Sequence, residues 1–331
     1  MAMAQVIYKK GGPENFVWEE VATPAPGPGE VLIRNTAVGV NFADTYHRGG
    51  IPHPLVVGEP PVTVGLEAVG EVLALGDGVS DLRVGDKVCH CQPPIGAYAE
   101  ERVYPADHLI KVPDDIGLSD IELASILLKG MTAQYLLHET YVVKPGDYVL
   151  IHAAAGGMGH ALCPWANHLG ATVIGTVSTE EKARIARNLG CHHTVNYATE
   201  DFEERVMEIT GGEGVHVVYE SIGKTTLRKS LRCLRPRGMC AAYGHASGAP
   251  EPVDIIEELG VPGSLFITRP AIWHYLKPRE HMLAAADRLF AALRNNVLDI
   301  TIAKTFPLSE AAEAHRYIEA RKTIGSIVLV P

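Results

Sequence analysis

The chain has 331 residues, of which 47% are hydrophobic and 21% are charged, and its formal net charge is −10. This composition is typical of a globular protein with one large domain or two smaller ones, and it excludes a disordered or fibrous chain. The acidic balance argues against a dedicated nucleic-acid partner, since proteins that bind nucleic acid usually carry a basic patch.

The cysteines and the N-terminus indicate the compartment. The six cysteines are scattered along the chain, and only Cys89 and Cys91 stand close together, as C-x-C. Scattered cysteines fit a reducing compartment in which thiols stay free. The N-terminus has no apolar signal region, and no stretch reaches the roughly 18 apolar residues of a membrane helix. We therefore expect a cytoplasmic protein with no membrane partner.

The first part of the chain, up to about residue 115, predicts an all-β region. Short valine-rich runs such as "VLIRNTAVGV", "AVGEVLALG" and "DKVCHC" are separated by Gly, Pro and Asp. The pattern changes in "LSDIELASILLKGMTAQYLLHETY", whose apolar residues recur at helical spacing. Ser119 and Glu122 form the S-x-x-E pattern of a capping box, so we expect a helix to begin there.

From about residue 145 to about residue 270, candidate strands alternate with helical segments. The candidate strands are "YVLIHA", "TVIGTV", "HTVNY", "VHVVYES", "GMCAAYG" and "SLFITR". This alternation predicts a doubly wound parallel sheet of the α/β class. After residue 271 the chain shows two amphipathic helices and a last strand, "SIVLVP", which we expect to return to the first domain.

A glycine-rich turn follows the strand "YVLIHA" and consists of Ala155, Gly156, Gly157, Met158 and Gly159. Aligned on G-x-G-x-x-G, the three key positions hold Ala154, Gly156 and Gly159. Gly156 would let backbone N–H groups approach a pyrophosphate, and Gly159 would let the next helix pack close to the strand. The alternative is a plain strand-to-helix loop, but the strand context favours a dinucleotide site.

The end of the next strand, "TVIGTV", indicates which dinucleotide. An NAD site usually places Asp or Glu there, whereas this chain has Ser178 and, one helical turn later, Lys182. A hydroxyl and an ammonium group would bind a 2′-phosphate, so we expect a preference for NADPH. The alternative is that Ser178 and Glu181 form a capping box and that Lys182 is a solvated residue.

The order and spacing of several segments resemble one known family. These segments include "GVNFADTYHRGG", "GLEAVGEV", "LLKGMTAQYLL", "HAAAGGMG", "NYATED" and "SIVLVP". They resemble the quinone oxidoreductase (zeta-crystallin-like) branch of the medium-chain dehydrogenase/reductase family, and within it the bacterial NADPH:quinone reductases. The resemblance implies a GroES-like β-rich catalytic domain over 1–125 and 271–331 and a Rossmann NADPH-binding domain over 126–270. It also implies a homodimer formed through the edge strand at 264–269.

The zinc-containing relatives of this family hold their catalytic metal with a cysteine and a histidine at two positions that hold Asn41 and Leu66 here. Neither residue can supply a thiolate or imidazole ligand, so we expect no catalytic zinc. Cys89, His90 and Cys91 form a second candidate metal group, but alternate residues of a strand point to opposite faces, and small core residues are the better interpretation. We predict no metal.

The resemblance also implies roles for individual residues. Asn41 and Tyr46 would lie beside the nicotinamide and the substrate, and Tyr46 could hydrogen-bond a substrate oxygen. Lys129 and Thr132 would touch cofactor or substrate. The remaining residues implied to bind the cofactor are Lys182, Tyr197 and Arg321 around the 2′-phosphate, and Ser221, Tyr243, Gly244, His245, Thr268, Arg269 and Pro270 along the dinucleotide cleft. The alternative for each is an ordinary core or surface residue.

We therefore expect a zinc-independent NADPH:quinone oxidoreductase that transfers hydride to small quinones. The first alternative is an NADPH-dependent reductase of activated C=C bonds in enals, enones or enoyl thioesters, because relatives on this fold use the same hydride geometry. The second is a protein with a crystallin or RNA-binding role, as some relatives of the branch have.

Overall fold

The computed structural model describes residues 1–50, 59–320 and 323–331. In these residues the strands are β1 (Ala2–Ile7), β2 (Phe16–Val21), β3 (Glu30–Val40), β4 (Val62–Thr63), β5 (Glu67–Leu75), β6 (Lys87–His90), β7 (Glu101–Pro105), β8 (Ile110–Lys111), β9 (Tyr148–Ile151), β10 (Thr172–Val177), β11 (His193–Asn196), β12 (Val215–Glu220), β13 (Leu234–Ala242), β14 (Phe266–Thr268), β15 (Ile302–Pro307) and β16 (Ser326–Val330).

The α-helices are α1 (Phe42–Gly49), α2 (Asp120–Tyr135), α3 (Gly157–His168), α4 (Glu180–Asn188), α5 (Phe202–Ile209), α6 (Leu227–Arg232), α7 (Val261–Gly263), α8 (Ile272–Tyr275), α9 (Arg279–Arg294) and α10 (Ala311–Glu319). Short 3₁₀ turns lie at Pro13–Asn15, Ala106–His108 and Leu308–Glu310, and π-helical turns lie at Leu136–Thr140 and Ile255–Gly260. None of the helices in the described part of the chain is long and apolar enough to cross a membrane.

The chain divides into two compact units. Unit 1 comprises Met1–Lys129, Leu276–Phe290 and Ile300–Pro331, and unit 2 comprises Gly130–Tyr275 and Ala291–Asp299. Unit 1 is therefore built from three separate stretches of the chain. Its last stretch contains the final strand β16.

Unit 1 contains two sheets. The larger follows the order β15-β16-β3-β5-β6-β8, with β7 also beside β3, and the smaller follows the order β2-β1-β4. Strand β16 pairs antiparallel with β3, with Val328 opposite Gly39. The predicted return of the final strand to the first domain is thus confirmed. Apolar side chains from both sheets and from α10 form a common core, among them Ile7, Val38, Tyr98, Ala311 and Leu329.

The expectation of an all-β region up to about residue 115 is wrong at one place, because α1 follows β3 directly. Asn41 is the N-cap of this helix, and its backbone N–H donates to Asp44 Oδ2 at 2.8 Å. Gly50 ends the helix with a φ of 71°, in the left-handed region. A polar cap with an acidic residue three positions later is a helix-start signal, and it outweighed the β character of the surrounding sequence.

The predicted start of α2 is confirmed. The Ser119 backbone N–H donates to Glu122 Oε2 at 2.8 Å, and the Glu122 backbone N–H donates to Ser119 Oγ at 3.2 Å. These two bonds satisfy donors at the start of the helix that have no partner within it.

Unit 2 contains a six-stranded parallel sheet in the order β11-β10-β9-β12-β13-β14. The chain builds outward from β9 to β11 and then resumes on the other side of β9 with β12. The direction of strand addition thus reverses between β9 and β12, where sheets of this kind bind ligands at their carboxyl ends. The predicted doubly wound class is confirmed. The core between sheet and helices includes Leu150, Ile174, Val206, Val218 and Leu231.

Candidate functional site

The predicted glycine turn joins the end of β9 to the start of α3. Gly156 is the N-cap of α3, and its N–H donates to the Ala153 carbonyl at 2.8 Å. Gly157, Met158 and Gly159 form the first turn of α3, so their N–H groups have no acceptor within the helix. The aligned peptide dipoles add a partial positive charge at this end. The geometry is that of an anion-binding turn.

Close packing explains the residues at two of the three key positions. A Cβ on Gly159 would lie 2.0 Å from the Ala154 carbonyl oxygen, so only glycine fits there. Ala154 is fully buried, and a Cβ on Gly175 of β10 would lie 2.6 Å from the Ala154 Cβ. The alanine in place of the first glycine is therefore accommodated by a glycine on the neighbouring strand.

Of the residues predicted around the 2′-phosphate, Ser178 and Tyr197 come from the ends of two adjacent strands, and Lys182 comes from the helix that follows the first of these strands. Ser178 follows β10, Tyr197 follows β11, and the Tyr197 N–H donates to the Val177 carbonyl at 3.1 Å. Tyr197 is 55% exposed, so its ring is accessible to a ligand. Lys182, in the first turn of α4, is half-buried. Arg321, the fourth residue of this group, lies outside the described residues.

The alternative interpretation of Ser178 as a helix cap is wrong. The N-cap of α4 is Thr179, whose hydroxyl accepts from the Lys182 N–H at 3.2 Å. The capping side chain is thus one residue further along, because Thr179 has the extended backbone of an N-cap and directly precedes the helix. Ser178 is therefore not used as the cap of α4.

The other predicted cofactor residues follow β12, β13 and β14. The Gly244 N–H donates to the Glu220 carbonyl at 3.2 Å, and a Cβ on Gly244 would lie 2.6 Å from the Ser221 carbonyl oxygen. His245 Nδ1 lies 3.4 Å from an Arg269 guanidinium nitrogen, and burial, together with that guanidinium, lowers the pKa of His245. Tyr243 precedes this group directly, and Thr268 and Pro270 flank Arg269.

Apart from Thr132, the predicted cofactor residues of unit 2 lie at the carboxyl ends of its parallel strands or in the first turn of the helix that follows. Thr132 is the exception, because it lies on α2, where it is half-buried and one turn after Lys129. The structure thus brings the glycine turn and the ends of the five other strands to one edge of the sheet.

In unit 1, Asn41 is tied to a buried acid. The Asn41 amide donates to Glu67 Oε2 at 2.7 Å, and the Leu128 backbone N–H donates to Glu67 Oε1 at 2.6 Å. Lys129 Nζ lies 3.7 Å from Glu67 Oε2. Gly39 makes room for this acid, because a Cβ there would lie 2.1 Å from Glu67 Oε2. We call Asn41, Glu67 and Lys129 the Glu67 cluster.

Asp44 is a fully buried carboxyl group next to this cluster in sequence and space. Its Oδ2 accepts from the Asn41 N–H and from the Tyr98 hydroxyl, at 2.8 and 3.2 Å. Burial raises the pKa of Asp44 to about 7, although these two hydrogen bonds act in the opposite direction. At neutral pH this carboxyl group is therefore close to half protonated.

A chain of hydrogen bonds leads from Asp44 through Tyr98 and His315 to Arg48, one turn further along α1. An Arg48 guanidinium N–H donates to His315 Nδ1 at 2.9 Å, and His315 Nε2 lies 3.0 Å from the Tyr98 hydroxyl. Burial and Arg48 lower the pKa of His315 to about 3, so the ring is neutral. Its single hydrogen is then on Nε2 and is donated to Tyr98, which donates to Asp44.

Sequence reasoning missed Asp44, Glu67, Tyr98 and His315. Asp44 and Glu67 stand inside the quoted segments "GVNFADTYHRGG" and "GLEAVGEV", so the available signal was an acidic residue within each of these segments. Tyr46, predicted as catalytic, lies on α1, is 6% exposed and packs edge-on against the Phe42 ring.

The positions considered for metal binding hold no metal-ligand set among the described residues. No group of three or more His, Cys, Asp or Glu side chains with ligand geometry occurs in residues 1–50, 59–320 and 323–331. Cys89 and Cys91 are buried, and burial raises the pKa of both thiols. His90 Nδ1 is 3.0 Å from the Leu66 carbonyl oxygen.

Two family assignments cover most of the chain. Residues 27–114 match the alcohol dehydrogenase GroES-like domain, and residues 157–274 match the zinc-binding dehydrogenase family. The first lies in unit 1 and the second in unit 2.

Individual relatives match over the full length. The 2-haloacrylate reductase of Burkholderia sp. is 68% identical, covering 100% of this chain and 99% of that protein. The quinone oxidoreductase of Pseudomonas aeruginosa is 43% identical over 97% of each chain. The crystal structure of Escherichia coli quinone oxidoreductase complexed with NADPH matches with a TM-score of 0.94 and 40% identity, covering 100% of both chains.

Proposed function

The chain belongs to the medium-chain dehydrogenase/reductase family, in the branch of the quinone oxidoreductases, and on that basis we propose that it reduces the activated C=C bond of a small unsaturated acid with NADPH. The acid we propose is a 2-haloacrylate. The sequence alone favoured a quinone and kept reduction of activated C=C bonds as the alternative. The comparison with the Burkholderia enzyme reverses that order.

One observation carries the proposal, namely the 68% identity to a 2-haloacrylate reductase over the whole chain. Identity to the P. aeruginosa quinone oxidoreductase is 43%. Substrate preference depends on a limited number of residues, and we expect a relative that is 68% identical to share more of them than a relative that is 43% identical.

The residues of unit 2 fit NADPH. The first turn of α3 presents N–H groups suited to a pyrophosphate. A Cβ on Gly156 would lie 3.2 Å from the nearest protein atom, so the protein's own packing does not strictly require glycine at this position. The close approach of a ligand to the backbone would require it. Ser178, Lys182 and Tyr197 would hold the 2′-phosphate, and the E. coli relative was solved with NADPH. When bound, NADPH supplies the hydride.

The chemistry suits a site without a metal. In a 2-haloacrylate, the halogen and the carboxylate withdraw electrons from the double bond, so the terminal carbon accepts hydride directly. A metal ion acting as a Lewis acid would instead assist the interconversion of an alcohol and a ketone, because it polarises the carbonyl oxygen. Asn41 and Leu66 offer no thiolate or imidazole, so we propose that the reaction is zinc-independent.

Unit 1 would orient the substrate. We propose that Asn41 and Tyr46 contact the substrate and the nicotinamide. Asn41 is held in one orientation, because its amide donates to Glu67 and its backbone N–H donates to Asp44. A fixed orientation of this kind reduces the entropy lost when substrate is positioned.

Quinone reduction is the second candidate. Relatives named quinone oxidoreductase are 43% and 40% identical over nearly the whole chain. A quinone also accepts hydride without a metal, so the two activities are compatible in one site.

The proposal is tested by following NADPH oxidation with purified protein. The acceptors are 2-chloroacrylate, a neutral enone, a benzoquinone and a naphthoquinone, each with NADPH or NADH and with or without a chelator. We expect the highest kcat/KM with 2-chloroacrylate and NADPH, unchanged by the chelator. Turnover of quinones with none of 2-chloroacrylate would establish the second candidate, and loss of activity with the chelator would contradict zinc independence.

A further inference from the structure

Lys129 is a buried cation whose hydrogen-bond donors are not used by the described residues. Its side chain is 8% exposed, and Nζ has no hydrogen-bond acceptor in the described parts of the chain. The closest charge partner is Glu67 Oε2, whose distance of 3.7 Å exceeds that of a hydrogen bond. An ammonium group has three donors, and burying it without acceptors is costly.

Glu67 does not meet that need, because its two oxygens serve other donors. Oε2 accepts from the Asn41 amide, and Oε1 accepts from the Leu128 N–H. The other nearby acid, Asp44, points its Oδ2 at Asn41 and Tyr98. Lys129 is thus kept in place by the charge of Glu67, while its N–H groups remain able to bind a further anion.

We propose that Lys129 binds the carboxylate of the unsaturated acid and stabilises the negative charge that develops on it during reduction. This inference rests on the proposed function and specifies which part of the substrate is recognised. A cation on an oxygen anion forms a charge-assisted hydrogen bond, which is stronger than a neutral one.

The catalytic effect of Lys129 follows from the movement of electrons toward the carboxylate during the reaction. Hydride from NADPH, one hydrogen with two electrons, forms a C–H bond at the terminal carbon and leaves NADP⁺. The π electron pair moves to the halogen-bearing carbon and spreads into the carboxylate, which then carries a second negative charge. A proton from water completes the second C–H bond, and the halogen stays on the product. Because the charge on the carboxylate increases, Lys129 binds the transition state more tightly than the substrate.

The same residue would discriminate between acceptors. A quinone and a neutral ester have no carboxylate, so the ammonium group contributes less to their binding and to their reduction. Lys129 therefore selects for acids within the group of electron-poor acceptors.

The test compares 2-chloroacrylate with its methyl ester, which has the same double bond and no charge. Lys129→Met preserves side-chain length and removes the charge. We expect kcat/KM to fall about 100-fold or more for the acid and less than about 10-fold for the ester. The matched control is Lys111→Met, because Lys111 is an exposed lysine of unit 1 paired with Asp86, and it should change neither value. An equal loss for acid and ester, or no loss for the acid, would overturn the proposal.

Two further experiments cover the cases in which the variant does not fold or the protein shows no turnover. If Lys129→Met does not fold because Glu67 has lost its counter-charge, the double variant Lys129→Met/Glu67→Gln removes both charges. Calorimetric titration of 2-chloropropionate into the protein with NADP⁺ measures carboxylate binding without turnover. If the wild type reduces neither acid nor ester, the proposed function fails, whereas binding that Lys129→Met abolishes still supports the role of Lys129. Wild-type binding that Lys129→Met leaves intact, or no binding at all, overturns it.

Discussion

Among single residues, Asp44 binds a proton more tightly in the folded state than in the unfolded state, and measurements of stability against pH can detect this difference. Its pKa rises from 3.8 to about 7 on folding. The native state therefore retains a proton at pH values where the unfolded chain has lost it. The contribution of this proton to the free energy of unfolding is fully present below about pH 4 and is lost as the pH rises through about 7.

We predict that Asp44→Asn removes this pH dependence. The amide keeps an oxygen for the Asn41 N–H and the Tyr98 hydroxyl but cannot ionise. Between about pH 4 and about pH 8, the free energy of unfolding of the wild type should fall relative to the variant by up to about 4 kcal/mol. Urea denaturation across this range measures the difference. His47 and His315, whose pKa values are lowered, are present in both proteins and cancel. A difference in the free energy of unfolding between the two proteins that stays constant with pH would show that Asp44 does not retain a proton on folding.

Lys182 tests the preference for the phosphorylated nucleotide. Replacement by alanine removes one charge-assisted contact to the proposed 2′-phosphate, so the Kd of NADPH should rise about 10-fold to 100-fold while that of NADH stays unchanged. Fluorescence titration of both nucleotides gives the two constants. Arg184→Ala, on the exposed side of the same helix, is the control. Equal weakening of both nucleotides would refute the assignment.

At the level of elements, the turn into α3 contains two glycines, Gly156 and Gly159, that are required for different purposes. We predict that Gly159→Ala lowers Tm by several degrees, because its Cβ would collide with the Ala154 carbonyl.

Gly156→Ala should leave Tm within about 2 °C of the wild-type value in the absence of cofactor but weaken NADPH binding about 10-fold or more. Scanning calorimetry and fluorescence titration separate the effects. Unchanged NADPH affinity in Gly156→Ala would show that the turn does not cradle the cofactor.

Elements with strong local signals could be predicted from the sequence. The parallel strands of unit 2, the capping box of α2 and the return of β16 all have patterns a few residues long. Helix α1 was missed because it has only 8 residues and follows β3 directly, whereas the capping box of α2 is followed by a helix of 16 residues. The cap of α4 was misplaced by one residue because Ser178 and Thr179 are adjacent and both residue types are good caps.

The candidate site was predictable only in part, because some of its contacts join distant segments. The Tyr98 hydroxyl meets Asp44 across 54 positions and His315 across 217 positions of the chain. No periodicity or spacing encodes such a pairing. The charge partner of Lys129 could not be predicted for the same reason, because residues 129 and 67 are 62 positions apart in the chain.

For the whole molecule, we propose a homodimer formed through β14, the edge strand of the sheet in unit 2. Its Phe266 is 55% exposed, and an edge strand with an exposed aromatic residue favours pairing with another chain. Phe266→Lys should convert a dimer to a monomer in light-scattering measurements. Val142→Lys, at a residue of unit 2 outside the strands that is 56% exposed, should not. A monomeric wild type, or a dimeric Phe266→Lys variant, would contradict the proposal.

An isotope experiment determines whether the protein adds hydride from NADPH to the double bond of an unsaturated acid. The protein is incubated with 2-chloroacrylate and NADPH that carries deuterium at the transferable position, and the product is analysed by NMR. We predict that the product is 2-chloropropionate with one deuterium in its methyl group and, from water, a proton on the chlorine-bearing carbon. Release of chloride, or a saturated product without deuterium in the methyl group, would contradict it.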